Sequence, residues 1–183
     1  MYNQENLNKA WFFASKAHKE QQYPGENLPY LTHVGQVMME VMRVASELEN
    51  PELALLCAIL HDTIEDTTVS HEELTKLFSL EVANGVQALS KDSTLATKKE
   101  RMVDSLERIK TQAPEIWVVK LADRIANLGK PPHHWSQEKR KAYQEEGQVI
   151  LDYLGEANAK MAQRLAEKIE AYGDYVVFST RHS

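Results

Sequence analysis

The dipeptide His61-Asp62 ends the apolar run Leu53-Ala54-Leu55-Leu56-Cys57-Ala58-Ile59-Leu60. An imidazole and a carboxylate at the mouth of a buried segment need a partner or a metal ion, because a lone buried charge is very costly. Taken alone, the pair is weak grounds for a metal. His33 stands four residues before Val37, at the start of another apolar stripe, and so points coreward. An isolated histidine there is more often a core residue bonded to a carbonyl. Asp123 shares one helical face with Lys120, Arg124 and Asn127, at spacings of three and four in an otherwise apolar segment. That face also reads as a solvated stripe on an amphipathic helix. Together, two imidazoles and two carboxylates form a mixed nitrogen and oxygen set suited to manganese, iron, zinc or magnesium. An ion of this kind lowers the pKa of a bound water and polarises a phosphoryl oxygen.

The elements that must position these residues are helical almost throughout. Helices are expected from about Glu5 to Gln21, Thr32 to Leu48, Pro51 to the His61-Asp62 pair, Ser70 to Phe78, Glu81 to Leu89, Lys99 to Thr111, Pro114 to Leu128, Ser136 to Gly155 and Glu156 to Tyr172. The helix opened by Pro51 is apolar all round, which marks it as central and buried. Ser70 and Glu73 have capping-box spacing. Tyr23 to Pro29 reads as a loop, Gly129-Lys130-Pro131-Pro132 as a stop, and Tyr175 to Phe178 is too short to assign as a strand. The fold class is therefore all-α, and one domain is expected over residues 1–183.

Composition bounds the function classes. The net charge is −6 with a hydrophobic fraction of 43%. An acidic chain is a poor nucleic-acid binder, since that partner needs a broad basic face. A small polyanion held by a local cluster of Lys and Arg remains compatible. Cys57, the single cysteine, lies inside the apolar run and is read as a small buried hydrophobe. No signal peptide is read at Met1-Tyr2-Asn3-Gln4-Glu5, and no apolar stretch approaches the ~20 residues that cross a bilayer. A cytoplasmic protein with no membrane partner is expected.

The motifs resemble a known family. His33, His61-Asp62 and Asp123 match the H…HD…D signature of the HD superfamily. His61-Asp62-Thr63-Ile64-Glu65-Asp66-Thr67 is similar to the HD-x-x-ED-T motif of RelA/SpoT hydrolase domains, and Lys120-Leu121-Ala122-Asp123-Arg124-Ile125-Ala126-Asn127-Leu128 to their KLADR-x-x-NL motif. Phe13-Ala14, Ala17-His18, Gln21 and Pro29-Tyr30-Leu31-Thr32-His33 fit the opening helix and PY-x-x-H segment of that family. The resemblance spans roughly Leu7 to Leu128. It implies a single-domain HD-domain helical bundle, with C-terminal helices from about 137 to 172 packed on the motif core, similar to stand-alone small alarmone hydrolases. It implies Mn²⁺ held by His33, His61, Asp62 and Asp123, and removal of the 3′-pyrophosphate from (p)ppGpp or (p)ppApp. Glu65 and Asp66 would then orient and deprotonate the attacking water, while Arg124 and Asn127 steady the substrate and the ligands. Without the motif, Glu65 and Asp66 read as acidic residues ahead of a helix. Two other functions stay open: an HD phosphatase acting on NADPH 2′-phosphate or a 5′-nucleotide, and a nucleotide-binding sensor without turnover. A monomer or homodimer is expected.

The match breaks in two places. Tyr23 stands where the family carries an Arg that helps seat the guanine base, and Val34 where a Pro follows the first metal histidine. Stacking on Tyr23 would tolerate any purine, so guanine and adenine both stay open; Tyr23 equally reads as a residue packed on its loop. Lys19, Lys91, Lys98, Lys99 and Arg101 are candidates for the substrate's negative charge, with Arg101 favoured for its planar donor. Each also reads as an ordinary charge on a surface helix. His133 and His134 lack nearby carboxylates and read as loop or interface residues. His18 faces the loop near the site, His71 is expected to be exposed, and His182 belongs to a terminus expected to fray.

Overall fold

The computed structural model describes residues 1–177. In chain order the helices are α1 (Gln4–Ala17), α2 (Leu31–Met42), α3 (Pro51–Leu60), α4 (Thr63–Asp66), α5 (His71–Leu77), α6 (Leu80–Leu89), α7 (Lys98–Lys110), α8 (Pro114–Asn127), α9 (Gln137–Leu154) and α10 (Ala159–Val177), with short 3-10 turns at Ala45–Glu47 and Gly155–Ala157. No strand occurs among the described residues; an isolated bridge joins Gln22 to Pro29. The all-α expectation holds.

α3 is the hub. Asn50 caps it by accepting from the Leu53 amide, and Pro51 occupies the first turn, where no amide hydrogen is needed. Every side chain from Leu53 to Leu60 is buried, as an all-apolar helix requires. α1, α2, α6 and α8 pack around it, and α2 also packs on α8. Truncating a fully buried leucine here, such as Leu55 or Leu60, is expected to cost about 2–5 kcal/mol. Gly85 permits the close approach of α6: a Cβ there would lie 2.6 Å from Ile116 Cδ1 and 3.0 Å from Cys57 Sγ. Cys57 is buried at that contact, as the sequence suggests.

Several boundaries differ from the sequence reading. α1 stops at Ala17 rather than near Gln21. Beyond it the chain folds back on itself: the Tyr23 amide donates to the Leu28 carbonyl and the Tyr30 amide to the Gln21 carbonyl. These backbone bonds across the loop outweigh the helical propensity of Lys19 to Gln21. α2 ends at Met42, not Leu48. The last helix starts later and runs through the Tyr175 to Val177 stretch. Ser70 accepts from the Glu73 amide as expected, while the reciprocal capping box lies at Thr97 and Glu100. His182 and Phe178 lie outside the described residues.

Candidate active site

The three mutually packed helices α2, α3 and α8 each deliver part of one cluster. His33 comes from the first turn of α2, His61 from the C-terminal cap of α3, Asp62 from the residue that opens α4, and Asp123 from the last turns of α8. Both histidines are 3% exposed, so these polar groups lie in the core and must be satisfied there. His33 Nε2 lies 3.2 Å from His61 Nε2. Asp62 Oδ2 is 2.8 Å from His61 Nε2 and 3.7 Å from His33 Nε2. Asp123 Oδ1 lies 3.3 Å from His33 Nε2 and 3.9 Å from His61 Nε2. Among the described residues, His33, His61 and Asp62 each bring a ligand atom within 4.8 Å of the others, and Asp123 closes on the two imidazoles from α8.

The surroundings fix how these donors point. His61 Nδ1 is 2.9 Å from the Ala58 carbonyl, to which it donates, so Nε2 is the nitrogen that faces the cluster. The Tyr30 hydroxyl donates to Asp62 Oδ2. Lys120 Nζ donates to Asp123 Oδ2 at 2.9 Å and Asn127 Nδ2 to Asp123 Oδ1 at 2.6 Å. The polar face of α8 is thus no solvated stripe: Lys120, Asp123 and Arg124 are all buried. For Asp123, burial opposes ionisation, but Lys120 first, then His33 and His61, hold its carboxyl well below the usual range. His61 likewise holds Asp62 low against its burial. For His61, burial disfavours the charged ring, yet Asp62 and then Asp123 raise its pKa to about 9.

The donor set fits a divalent cation. Asp62, Glu65, Asp66 and Asp123 line a cavity of about 130 Å³ together with Tyr30, His33, His61, Lys91, Lys120 and Asn127. Four carboxylates against two lysines leave that cavity negative, and two imidazole nitrogens face into the cluster. A cation entering there must displace the proton on His61. Metal uptake is therefore expected to release protons at pH 7, and affinity to fall as pH drops from about 9. Calorimetric titration with Mn²⁺ in buffers of different ionisation enthalpy measures this; an uptake with no proton release would contradict it.

Glu65 and Asp66 stand beside the cluster and open to solvent. Glu65 accepts from the Lys91 amide at 2.8 Å and from Lys91 Nζ at 3.1 Å. Asp66 accepts from Gln21 Nε2 at 2.8 Å; desolvation within the cavity raises its carboxyl pKa against that bond.

Two further cavities adjoin this one. A basic cavity of about 430 Å³ is lined by Lys91, Lys98, Arg101, Lys120, Arg124 and Lys139, with Trp135 and Tyr143 as aromatic walls and Glu146 as its carboxylate. Arg124 is buried, lies 4.4 Å over the Tyr143 ring and reaches Glu146 at 3.3 Å, while its Nε and Nη1 have no hydrogen-bond partner among the described residues. An aromatic cleft of about 130 Å³ is lined by Tyr23, Pro24, Pro131, Pro132, Trp135, Tyr143 and Tyr172, and shares Tyr30, His33 and Asn127 with the cluster cavity.

Of the residues expected from sequence, His33, His61, Asp62, Asp123, Glu65, Asp66, Asn127 and Lys91 meet in one cavity. Lys98, Arg101 and Arg124 line the basic one, and Tyr23 the aromatic cleft. Lys99 is exposed and lines none of the three, because it lies one position off the inward face of α7. Lys19 is exposed and pairs with Glu20. His133 and His134 are exposed, with ring centroids 5.6 Å apart, and belong to no cluster of three potential metal ligands among the described residues. Sequence reasoning gave no role to Trp135, Lys139 and Tyr143, which lie past the motifs on the loop before α9 and on α9 itself. Lys120 and Tyr30 stand within the motifs but carry no site role in the sequence reading; a lysine set in the otherwise apolar run of α8, three residues before Asp123, was the available signal.

A family model described as "HD domain" matches residues 10–160. The chain belongs to the HD-domain family. Among its relatives, a GTP pyrophosphokinase of Myxococcus xanthus is 37% identical over 143 residues, covering 73% of this chain and 18% of that protein. This chain therefore spans about a fifth of the length of that relative, and 17% of the Brucella melitensis protein GTP pyrophosphokinase rsh. The guanosine-3′,5′-bis(diphosphate) 3′-pyrophosphohydrolase of Drosophila melanogaster is 31% identical over 160 residues, covering 85% of this chain and 88% of that one. A solved structure described as a metazoan ortholog of SpoT that hydrolyzes ppGpp superposes with a TM-score of 0.82 at 28% identity, over 94% of this chain and 98% of the other. No helix among the described residues is long and apolar enough to cross a membrane.

Proposed function

We propose that this HD-domain chain is a metal-dependent phosphohydrolase that removes the 3′-pyrophosphate from nucleoside alarmones, (p)ppGpp, (p)ppApp or both. The observation that carries the reading is the convergence of two imidazoles and two carboxylates beside Glu65 and Asp66, at the junction of a basic and an aromatic cavity. The likeness to the Drosophila pyrophosphohydrolase over most of both chains supports the substrate class.

His33, His61, Asp62 and Asp123 would hold the ion, taken as Mn²⁺. When bound, such an ion acidifies a water and offsets charge on phosphoryl oxygens. Glu65 takes the proton of the attacking water and Asp66 orients it. The water oxygen bonds to the phosphorus on the 3′ side, the bond to the ribose 3′ oxygen breaks, that oxygen takes a proton from solvent as Glu65 gives its proton back to solvent, and pyrophosphate is released. The buried Arg124 and the lysines of the basic cavity receive the remaining phosphates; Nε and Nη1 of Arg124, without a partner among the described residues, offer two donors on one planar group. Tyr23, Trp135 and Tyr143 give the base apolar faces to stack on.

The test is hydrolysis of ppGpp and ppApp in parallel, with Mn²⁺ and after chelation. Pyrophosphate release that chelation abolishes is expected. Faster phosphate release from NADPH or a 5′-nucleotide would transfer the site to another substrate, and no turnover above that of Asp62→Ala would leave a binding protein. Tyr23→Arg is expected to shift the ratio of kcat/KM values toward guanosine by about fivefold, the worth of roughly one hydrogen bond to a guanine acceptor. An unchanged ratio would clear Tyr23 of a role in base choice.

A further inference from the structure

α1 and the loop behind it contribute no cluster ligand, yet two polar side chains there form a chain of contacts that ends on Asp66, a carboxylate of the cluster cavity. His18 caps the C-terminus of α1 and is 2% exposed. Its Nδ1 lies 2.7 Å from Gln21 Oε1, and Gln21 Nε2 lies 2.8 Å from Asp66 Oδ2. The bonds have one consistent direction. A carboxylate only accepts, so the Gln21 amide group must donate to Asp66, which turns the amide oxygen toward His18 and puts the ring hydrogen on Nδ1. The other nitrogen, Nε2, is buried with no partner among the described residues. An apolar side chain at this position would avoid the cost of that orphaned nitrogen. What a leucine could not do is hold the Gln21 amide.

The same ring packs 5.0 Å from Tyr30, the tyrosine whose hydroxyl bonds Asp62. This corner of the fold therefore grips two carboxylates of the cavity, one through Tyr30 and one through Gln21. We infer that His18 and Gln21 are positioning residues: His18 fixes the Gln21 amide, and Gln21 fixes the Asp66 carboxylate in its working orientation. The inference rests on the reading of Asp66 as a working carboxylate. Gln21 is only half-buried, so its substitution leaves the core intact.

The experiment compares wild type with Gln21→Met, His18→Leu, His18→Asn, His18→Gln and Asp66→Asn, reading kcat and KM for ppGpp, Mn²⁺ affinity by calorimetry and the thermal midpoint. Gln21→Met and His18→Leu are expected to lower kcat about tenfold, the lower end of the effect of losing a group that orients a ligand or base, with KM and Mn²⁺ affinity within twofold of wild type. His18→Asn should restore most of the loss, because its amide nitrogen occupies the place of Nδ1, whereas His18→Gln, whose amide nitrogen reaches the place of Nε2, should not. Wild-type kcat in Gln21→Met and His18→Leu alongside an inactive Asp66→Asn would overturn the positioning role alone. Loss of Mn²⁺ affinity in step with kcat, or equal kcat for His18→Asn and His18→Gln, would also overturn it. An Asp66→Asn protein as active as wild type would remove the role of Asp66 and this inference with it.

Discussion

Asp62→Ala is expected to abolish pyrophosphate release, with a loss well beyond the about 10- to 100-fold that follows removal of a group hydrogen-bonded to a metal ligand. The carboxylate sits 2.8 Å from His61 Nε2 and is gripped by the Tyr30 hydroxyl. Removing it takes away one of two negative charges among the four donors and leaves that hydroxyl unpartnered. Mn²⁺ binding should weaken in parallel, which distinguishes this variant from one that damages only the chemistry. Calorimetric titration and steady-state pyrophosphate release on the same preparation measure both. A variant that binds Mn²⁺ as wild type does, or turns over at a comparable rate, would remove Asp62 from the site.

Glu65→Gln separates chemistry from binding. The amide keeps an acceptor for the Lys91 backbone and loses the base, so turnover should fall by about 10²-fold or more, the usual scale for a general base. The lost ion pair to Lys91 is part-exposed, with side chains 42% and 25% accessible, and is worth about 0–1 kcal/mol. The fold, the Mn²⁺ affinity and KM should therefore stay near wild type. Near-normal turnover would exclude Glu65 as the base, and a large change in KM with kcat unchanged would recast it as a group that positions Lys91.

The contrast between these variants reflects what was legible in the sequence. His61-Asp62 drew notice because two polar groups at the mouth of a buried apolar helix need a partner, although the pair alone was weak grounds for a metal; α3 is indeed buried from Leu53 to Leu60. The polar face of α8 was ambiguous, since spacing alone does not distinguish a solvated stripe from one turned inward; packing of α8 against both α2 and α3 decides it. The roles given to Glu65 and Asp66 came from the motif, not from periodicity. The overrun of α1 to Gln21 had a physical origin. Helical propensity is local, whereas the loop from His18 to Tyr30 is closed by backbone bonds between its two arms. That error hid the route by which Gln21 reaches Asp66. Trp135, Lys139 and Tyr143 were invisible for a related reason: they sit on the loop before α9 and on α9, and only the packing of α9 against α7 and α8 brings them to the basic cavity. Lys99 shows the converse, because charge counting along α7 cannot tell which lysine faces the cleft.

The central claim is that side chains from α2, the α3–α4 junction and α8 share one divalent cation. Anomalous diffraction at the manganese edge, from crystals grown with Mn²⁺, measures this directly. One peak per chain within bonding distance of His33 Nε2, His61 Nε2 and a carboxylate oxygen from each of Asp62 and Asp123 is the predicted result. A peak that leaves Asp123 unbonded, or no peak between the two imidazoles, would contradict the account.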